Sequence, residues 1–218
     1  LNQAASDLIS GVAVSSGNVQ EFLSGFVNEW DPIETNAIAF LKLYFEKKGE
    51  IFPTDTQLEV QQLAPSKKLA YFLQQWIFDN LYTKEKLTKT ADLPQFPDAV
   101  IYPGPVADSA PRITKTVSIN GTYQTDNAYT LNNQDSVLRP TGLYVPPGEL
   151  VTVSIPASLS GENWKVRIGI SFFDLESTWT AYNRFPRIGN RFSLDAQVVQ
   201  IANPFGGGLY IEVPDGAA

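Results

Sequence analysis

The hydrophobic positions follow two different periods along the chain. Up to about residue 90 they recur every three to four residues. Val19, Phe22, Leu23, Phe26, Val27 and Trp30 form one apolar stripe, which predicts an amphipathic helix over residues 18–30. Asp31-Pro32-Ile33-Glu34 reads as a helix start, with Asp31 capping free amides, Pro32 suited to the first turn and Glu34 reaching back. The helix it opens carries Ile38, Leu41, Tyr44 and Phe45, and Gly49 is its stop. Leu69, Phe72, Leu73, Trp76, Ile77 and Leu81 predict a third helix over about 66–82. Three such helices with short connections predict a small bundle over 1–90. Phe22, Phe26, Trp30, Phe72 and Trp76 are read as its core, because aromatics at helical spacing pack inward.

From residue 112 the period becomes two. Ile113, Val117 and Ile119 alternate with Thr and Ser, with Lys115 on the apolar side. Val151, Val153 and Ile155 form a second alternation, Trp164, Val166, Ile168 and Ile170 a third, and Leu209, Ile211 and Val213 a fourth. Such strands bury one face and wet the other. Asn120-Gly121, Pro146-Pro147-Gly148, Ser160-Gly161 and Ile188-Gly189-Asn190 are turn signals between them. Together they predict an antiparallel β-sandwich, jelly-roll-like, over 112–218. Between the two regions run Pro94, Pro97, Pro103, Pro105 and Pro111, which predict an extended linker over 91–111. The expected fold class is α+β.

Composition narrows the chemistry. Sixteen Lys and Arg against 23 Asp and Glu give a net charge of −7. With no basic stripe, this argues against nucleic acid and anionic membrane as partners. No apolar stretch approaches the roughly 20 residues that span a bilayer, so no membrane insertion is expected. The chain has no Cys, no His and no Met. Disulfides, thiolate metal sites, the usual zinc site and His-based relays are therefore excluded within it. A Ser–Lys or carboxylate-only enzyme stays open. The missing initiator Met at Leu1 reads as the mark of a processed piece.

Few residues are candidates for a site. Asp174 and Glu176 sit close together after a predicted strand, followed by Trp179, Tyr182, Arg184 and Arg187. Aromatics beside arginines stack on sugars or pair with carboxylates, so Asp174, Trp179, Tyr182 and Arg184 are the expected substrate contacts. Asn203-Pro204-Phe205-Gly206-Gly207-Gly208 is the most unusual string. It lacks the Lys-Ser/Thr of a phosphate loop and enters a strand, so it reads as a tight bend packed on another segment. Gly142, Tyr144, Pro147 and Gly148 belong to a second structural string, Thr141-Gly142-Leu143-Tyr144-Val145-Pro146-Pro147-Gly148-Glu149. Asn120-Gly121-Thr122 matches a glycosylation sequon.

The order of these strings resembles one family. Phe96-Pro97 leads, then Thr141 to Glu149, then Val166-Arg167-Ile168-Gly169. Trp179, Arg184-Phe185-Pro186-Arg187-Ile188, Phe192-Ser193-Leu194 and Ile201 to Ile211 follow. Over about residues 95–213 the chain is similar to the opening part of the enhancin-like, mucin-degrading zinc metallopeptidases, metallopeptidase family 60. The resemblance implies a sandwich that precedes a catalytic lobe carrying His-Glu-x-x-His and a further Glu. No catalytic or zinc residue transfers here, since His is absent; zinc is expected in the downstream catalytic lobe. The family's His-Thr-Asp string is replaced by Ile170-Ser171-Phe172-Phe173-Asp174, which keeps only the Asp. The resemblance implies a secreted or surface-bound bacterial parent that cleaves glycoproteins. The implied partners are the catalytic lobe of the same polypeptide and a glycoprotein or glycan. This chain alone is expected to be inactive. Two rivals remain at this point: a stand-alone carbohydrate- or protein-binding module, and a purely structural surface protein.

Overall fold

The structure, a computed structural model, describes residues 35–89, 92–124, 136–171 and 173–217. The expected helix over 18–30, with Phe22, Phe26 and Trp30, and the start at Asp31 to Glu34 lie outside them. Helix α1 runs Thr35–Lys48 and buries Ile38, Leu41, Tyr44 and Phe45. Gly49 ends it with φ +64°, and its N–H donates to the Phe45 carbonyl at 2.9 Å. Helix α2 runs Pro65–Asn80, with proline in its first turn where no N–H is needed. Its Leu69, Leu73 and Ile77, four residues apart, are buried, while Phe72 and Trp76 flank them half-buried against the same core. A one-turn helix, Lys84–Leu87, follows.

Among the described residues, eight strands complete the α+β fold. They are β1 (Leu58–Glu59), β2 (Ser136–Val145), β3 (Val151–Ser154), β4 (Lys165–Ile168), β5 (Ala181–Tyr182), β6 (Asn190–Ser193), β7 (Val198–Ile201) and β8 (Gly207–Pro214). A four-stranded antiparallel sheet has the order β2-β8-β4-β6. β3 pairs with β7, and β1 with β5, both antiparallel. β2 is bulged between Pro140 and Tyr144, where Gly142 takes φ +74°. The alternation over Ile113, Val117 and Ile119 does not become a strand, and Ile113 is exposed. A periodic segment still needs a partner's ladder. Here only Tyr123 makes a bridge, to Ala217.

The first half of the Pro-rich stretch departs from the expected extended linker. Leu93, Phe96 and Ala99 are buried, and Pro97–Val100 forms a 3₁₀ turn. The prolines lack N–H groups, so burying this segment leaves few donors to satisfy. Phe96 meets Phe45 from α1 at 5.6 Å between centroids, Phe205 at 5.2 Å and Phe185 at 6.0 Å. The Phe96 N–H donates to the Pro204 carbonyl at 3.1 Å. Helices and sheets therefore share one apolar core, and Phe96 is the ring between them.

Asp98 fixes this seam. Its buried carboxylate accepts from the Ile51 N–H at 3.0 Å and the Phe52 N–H at 2.8 Å. Burial outweighs those bonds and raises its pKa from 3.8 to about 6. The folded chain then holds this proton more tightly than the unfolded chain. Stability from this group is full below about pH 4 and falls as pH rises through 6, by about 3 kcal/mol. Urea midpoints at several pH values, for wild type and Asp98→Asn, read this directly. The wild type is expected to lose ground to the variant between pH 4 and 7; a gap that stays constant would contradict the assignment.

Candidate functional site

The loop between β4 and β6 holds every expected substrate contact. β4 stops at Ile168 because Gly169 turns the chain with φ +80° and packs on the Gly189 backbone. The loop is tied across its neck by the Leu175 N–H, which donates to the Pro186 carbonyl at 3.4 Å. Asp174 caps the 3₁₀ turn Leu175–Ser177, accepting from the Glu176 N–H at 3.0 Å. Trp179 is 59% exposed, and its N–H donates to the Leu175 carbonyl at 2.8 Å. Ile170 and Phe173 on the same loop are exposed as well.

Tyr182 differs from the expectation of a substrate contact. It lies in β5 opposite Leu58, and its ring is buried edge-on against Phe52 at 5.9 Å. Its hydroxyl donates to the Trp179 carbonyl, so it positions the loop from beneath. Arg184 lies 5.4 Å from the Tyr102 ring centroid and donates to the Phe185 carbonyl at 2.9 Å. Of the four expected contacts, Trp179 and Asp174 are exposed, Arg184 is half-buried beside Tyr102 and Tyr182 is buried. Asp174 is turned to capping.

A polar network under the loop joins it to α2. Gln75 Nε2 donates to Glu176 Oε1 at 3.0 Å, and Arg187 donates to Gln75 Oε1 at 3.4 Å. Arg187 also pairs with Asp79 at 2.5 Å and stacks 4.5 Å from the Phe78 centroid. Partial burial pushes the Glu176 carboxyl up, against the opposing pull of Arg187.

The two glycine-rich strings meet at Asn203. Asn203 is fully buried, and its Nδ2 donates to the Ile188 carbonyl at 3.0 Å and Asn190 Oδ1 at 2.9 Å. Its Oδ1 accepts from the Phe205 N–H at 2.7 Å. Its carbonyl accepts from the Gly148 N–H at 2.8 Å, which binds the Pro146-Pro147-Gly148 turn to the Asn203-Pro204 loop. Gly206 has φ +68°, and a Cβ there would stand 2.5 Å from the Val145 carbonyl oxygen. Tyr144, Pro147, Gly148, Asn203, Pro204, Gly206 and Gly207 thus surround one junction of backbone, while Gly142 sits in the β2 bulge, where a Cβ would meet nothing within 4 Å. Tyr144 alone among them presents a large, partly exposed side chain.

Sequence reasoning missed two buried charges beyond Asp98. Arg167 and Glu212 fall on the wet side of their alternations, yet both are buried and paired, Arg167 Nε donating to Glu212 Oε1 at 2.5 Å. Their signal is an Arg and a Glu in two predicted strands. It becomes a pair only once β4 is set beside β8. Among the described residues, no group of three or more Asp or Glu is placed to hold a metal ion.

Residues 108–218 match the family profile of the N-terminal domain of M60-like peptidases. That match defines the class, a domain carried at the front of peptidases. The chain belongs to the M60-like peptidase N-terminal domain family. It is 35% identical over 74 residues to a TRPM8 channel-associated factor homolog of Danio rerio, covering 34% of this chain and 8% of that protein. A Xenopus laevis homolog of the same name is 35% identical over 98 residues, covering 45% of this chain and 10% of that protein. A putative lipoprotein AcfD homolog of Escherichia coli K12 is 31% identical over 120 residues, covering 53% of this chain and 7% of that protein. The chain thus spans a tenth or less of the length of these relatives. No solved structure matches it.

Proposed function

We propose that this chain is the non-catalytic front portion of a larger extracytoplasmic bacterial zinc peptidase that cleaves mucin-like glycoproteins. In this reading it supports the catalytic lobe and holds substrate. The carrying observation is the match of 108–218 to a peptidase N-terminal domain in a chain with no histidine. Two imidazoles one helical turn apart present nitrogen ligands to one zinc ion, so that pair belongs to another part of the parent. The similarity to a protein named as a lipoprotein supports an extracytoplasmic setting. No helix among the described residues is long and apolar enough to cross a membrane. The four-stranded sheet and the β3–β7 pair are read as the two layers of a sandwich. A second reading, a protein-binding module without peptidase activity, draws on the relatives named as channel-associated factors.

The test is digestion of a mucin glycoprotein by the parent polypeptide, with and without a chelator. Zinc-dependent cleavage is expected. Absent or chelator-insensitive cleavage would sink the peptidase reading and favour the binding module. Within an active parent, Trp179→Ala is expected to raise KM for glycoprotein several-fold and leave kcat nearly unchanged, because the side chain holds substrate away from the reacting bond.

A further inference from the structure

Asn120-Gly121 is the one Asn-Gly dipeptide of the chain, and it lies outside the Trp179 loop. Asn120 is exposed, and its Oδ1 accepts from the Thr122 N–H at 3.0 Å. Arg139, near the start of β2, forks onto the same turn. Its Nε donates to the Asn120 carbonyl at 3.2 Å and its Nη2 to the Thr122 carbonyl at 3.1 Å. On the other side Gly121 lies against Trp164, where a Cβ would stand 3.0 Å from Cη2. Among the described residues, the Gly121 N–H and Asn120 Nδ2 donate to no group.

These contacts favour one reaction. The Gly121 nitrogen is placed along the chain so that its attack on Asn120 Cγ closes a succinimide ring, and a glycine leaves that nitrogen unshielded. The guanidinium on the Asn120 carbonyl draws electron density from the peptide unit that carries the Gly121 N–H. This eases loss of that proton. The Thr122 N–H on Oδ1 polarises the carbonyl under attack and stabilises the oxyanion that develops there. Nucleophile and electrophile are both hydrogen-bonded in the sense that ring closure needs.

We propose that Asn120 is a site of spontaneous deamidation, with water as co-reactant, and that Arg139 directs the product to isoaspartate. In the first step the Gly121 N–H gives its proton to hydroxide, the N–Cγ bond forms and the Cγ–Nδ2 bond breaks. Nδ2 takes a proton from water and leaves as ammonia. In the second step water adds to one of the two ring carbonyls, the ring opens and the Gly121 nitrogen regains a proton. Attack at Cγ breaks the new bond and gives aspartate. Attack at the former main-chain carbon breaks its bond to the Gly121 nitrogen and gives isoaspartate. The isoaspartate carboxylate then carries the oxygen that Arg139 holds. A cation on that carbonyl favours attack there and pairs with the carboxylate formed. The product adds one negative charge to the −7 of the chain and lengthens the main chain by one carbon beside the Tyr123 to Ala217 bridge. This goes beyond the proposed role, since it needs neither a peptidase nor a substrate.

Incubation of the 218-residue chain in mildly alkaline buffer, followed by peptide mapping with electron-transfer fragmentation, tests the site. That fragmentation separates isoaspartate from aspartate. A parallel sample unfolded in guanidinium chloride gives the product ratio that the bare sequence sets. The amide-to-acid mass gain is expected at Asn120 ahead of the other asparagines. The ratio of isoaspartate to aspartate is expected to be roughly threefold higher in the folded chain than in the unfolded one. Arg139→Gln is expected to bring the ratio down to the unfolded value. Arg139→Lys, which keeps the charge without the fork, should fall between. Circular dichroism confirms the fold of both variants. The proposal is overturned by a folded chain that leaves Asn120 intact, or by equal ratios in folded and unfolded wild type, a comparison that needs no variant. An unchanged ratio in folded Arg139→Gln would overturn the role of Arg139. Each outcome is independent of whether the parent cleaves mucin.

Discussion

Gly207→Ala is expected to cost about 3 kcal/mol or more of stability. Gly207 has φ +145°, a region that side-chain-bearing residues rarely adopt. An added Cβ would also stand 2.8 Å from the Gly169 nitrogen and 2.9 Å from its Cα. Both obstacles are backbone, and β4 and β8 would have to part to relieve them. The next glycine separates this cause from mere loss of flexibility. Gly208 has an ordinary φ, and the atoms nearest its Cβ would belong to the movable Tyr210 ring, at 3.1 Å. Gly208→Ala is therefore expected to be several times milder. Urea melts of the two variants check the contrast, and equal losses would show that close packing on Gly169 is not the cause.

Phe96→Ala is expected to cost about 3–5 kcal/mol, the range for emptying a buried aromatic site. The ring touches rings from α1, from the 185–188 segment and from the Asn203–Gly207 loop. Its removal should therefore loosen helices and sheets together. Circular dichroism reports α1 and α2, while fluorescence reports the sheets through Trp164 and Trp179 once Trp30 and Trp76 are replaced by Phe in both proteins. Coincident transitions in wild type, shifted together in the variant, are the expected result. A helical transition that separates from an unchanged sheet transition would restore the picture of a bundle on a passive linker.

Much of the local structure was legible because one face of each element is buried. The stripe Ile38, Leu41, Tyr44 and Phe45 and the stop at Gly49 marked α1. The alternations at Val151, Val166 and Leu209 marked β3, β4 and β8. What failed depended on partners distant in sequence. Ile113 to Ile119 alternates as a strand does, but none of the strands among the described residues pairs with it. Phe96 looked like a linker residue because prolines surround it, and its ring partners come from α1, from the end of α2 and Tyr82 beyond it, from Phe185 and from Phe205. Tyr182 looked like a ligand contact because it sits among polar residues, but β5 pairs with β1 across more than a hundred residues and turns its ring inward. Arg167 and Glu212 had the pattern of solvated residues until β4 and β8 were adjacent.

The glycine-rich strings that carry the family resemblance are turned to holding the fold together, and the 169–189 loop exposes Phe173 and Trp179. On this account the chain binds glycoprotein and leaves the chemistry to another part of its parent. The most direct test is to incubate the isolated chain with a mucin glycoprotein and zinc, then measure retention and peptide-bond cleavage in the same sample. Retention with no new fragments is the predicted result. Fragments produced by this chain alone, or no retention at all, would contradict it.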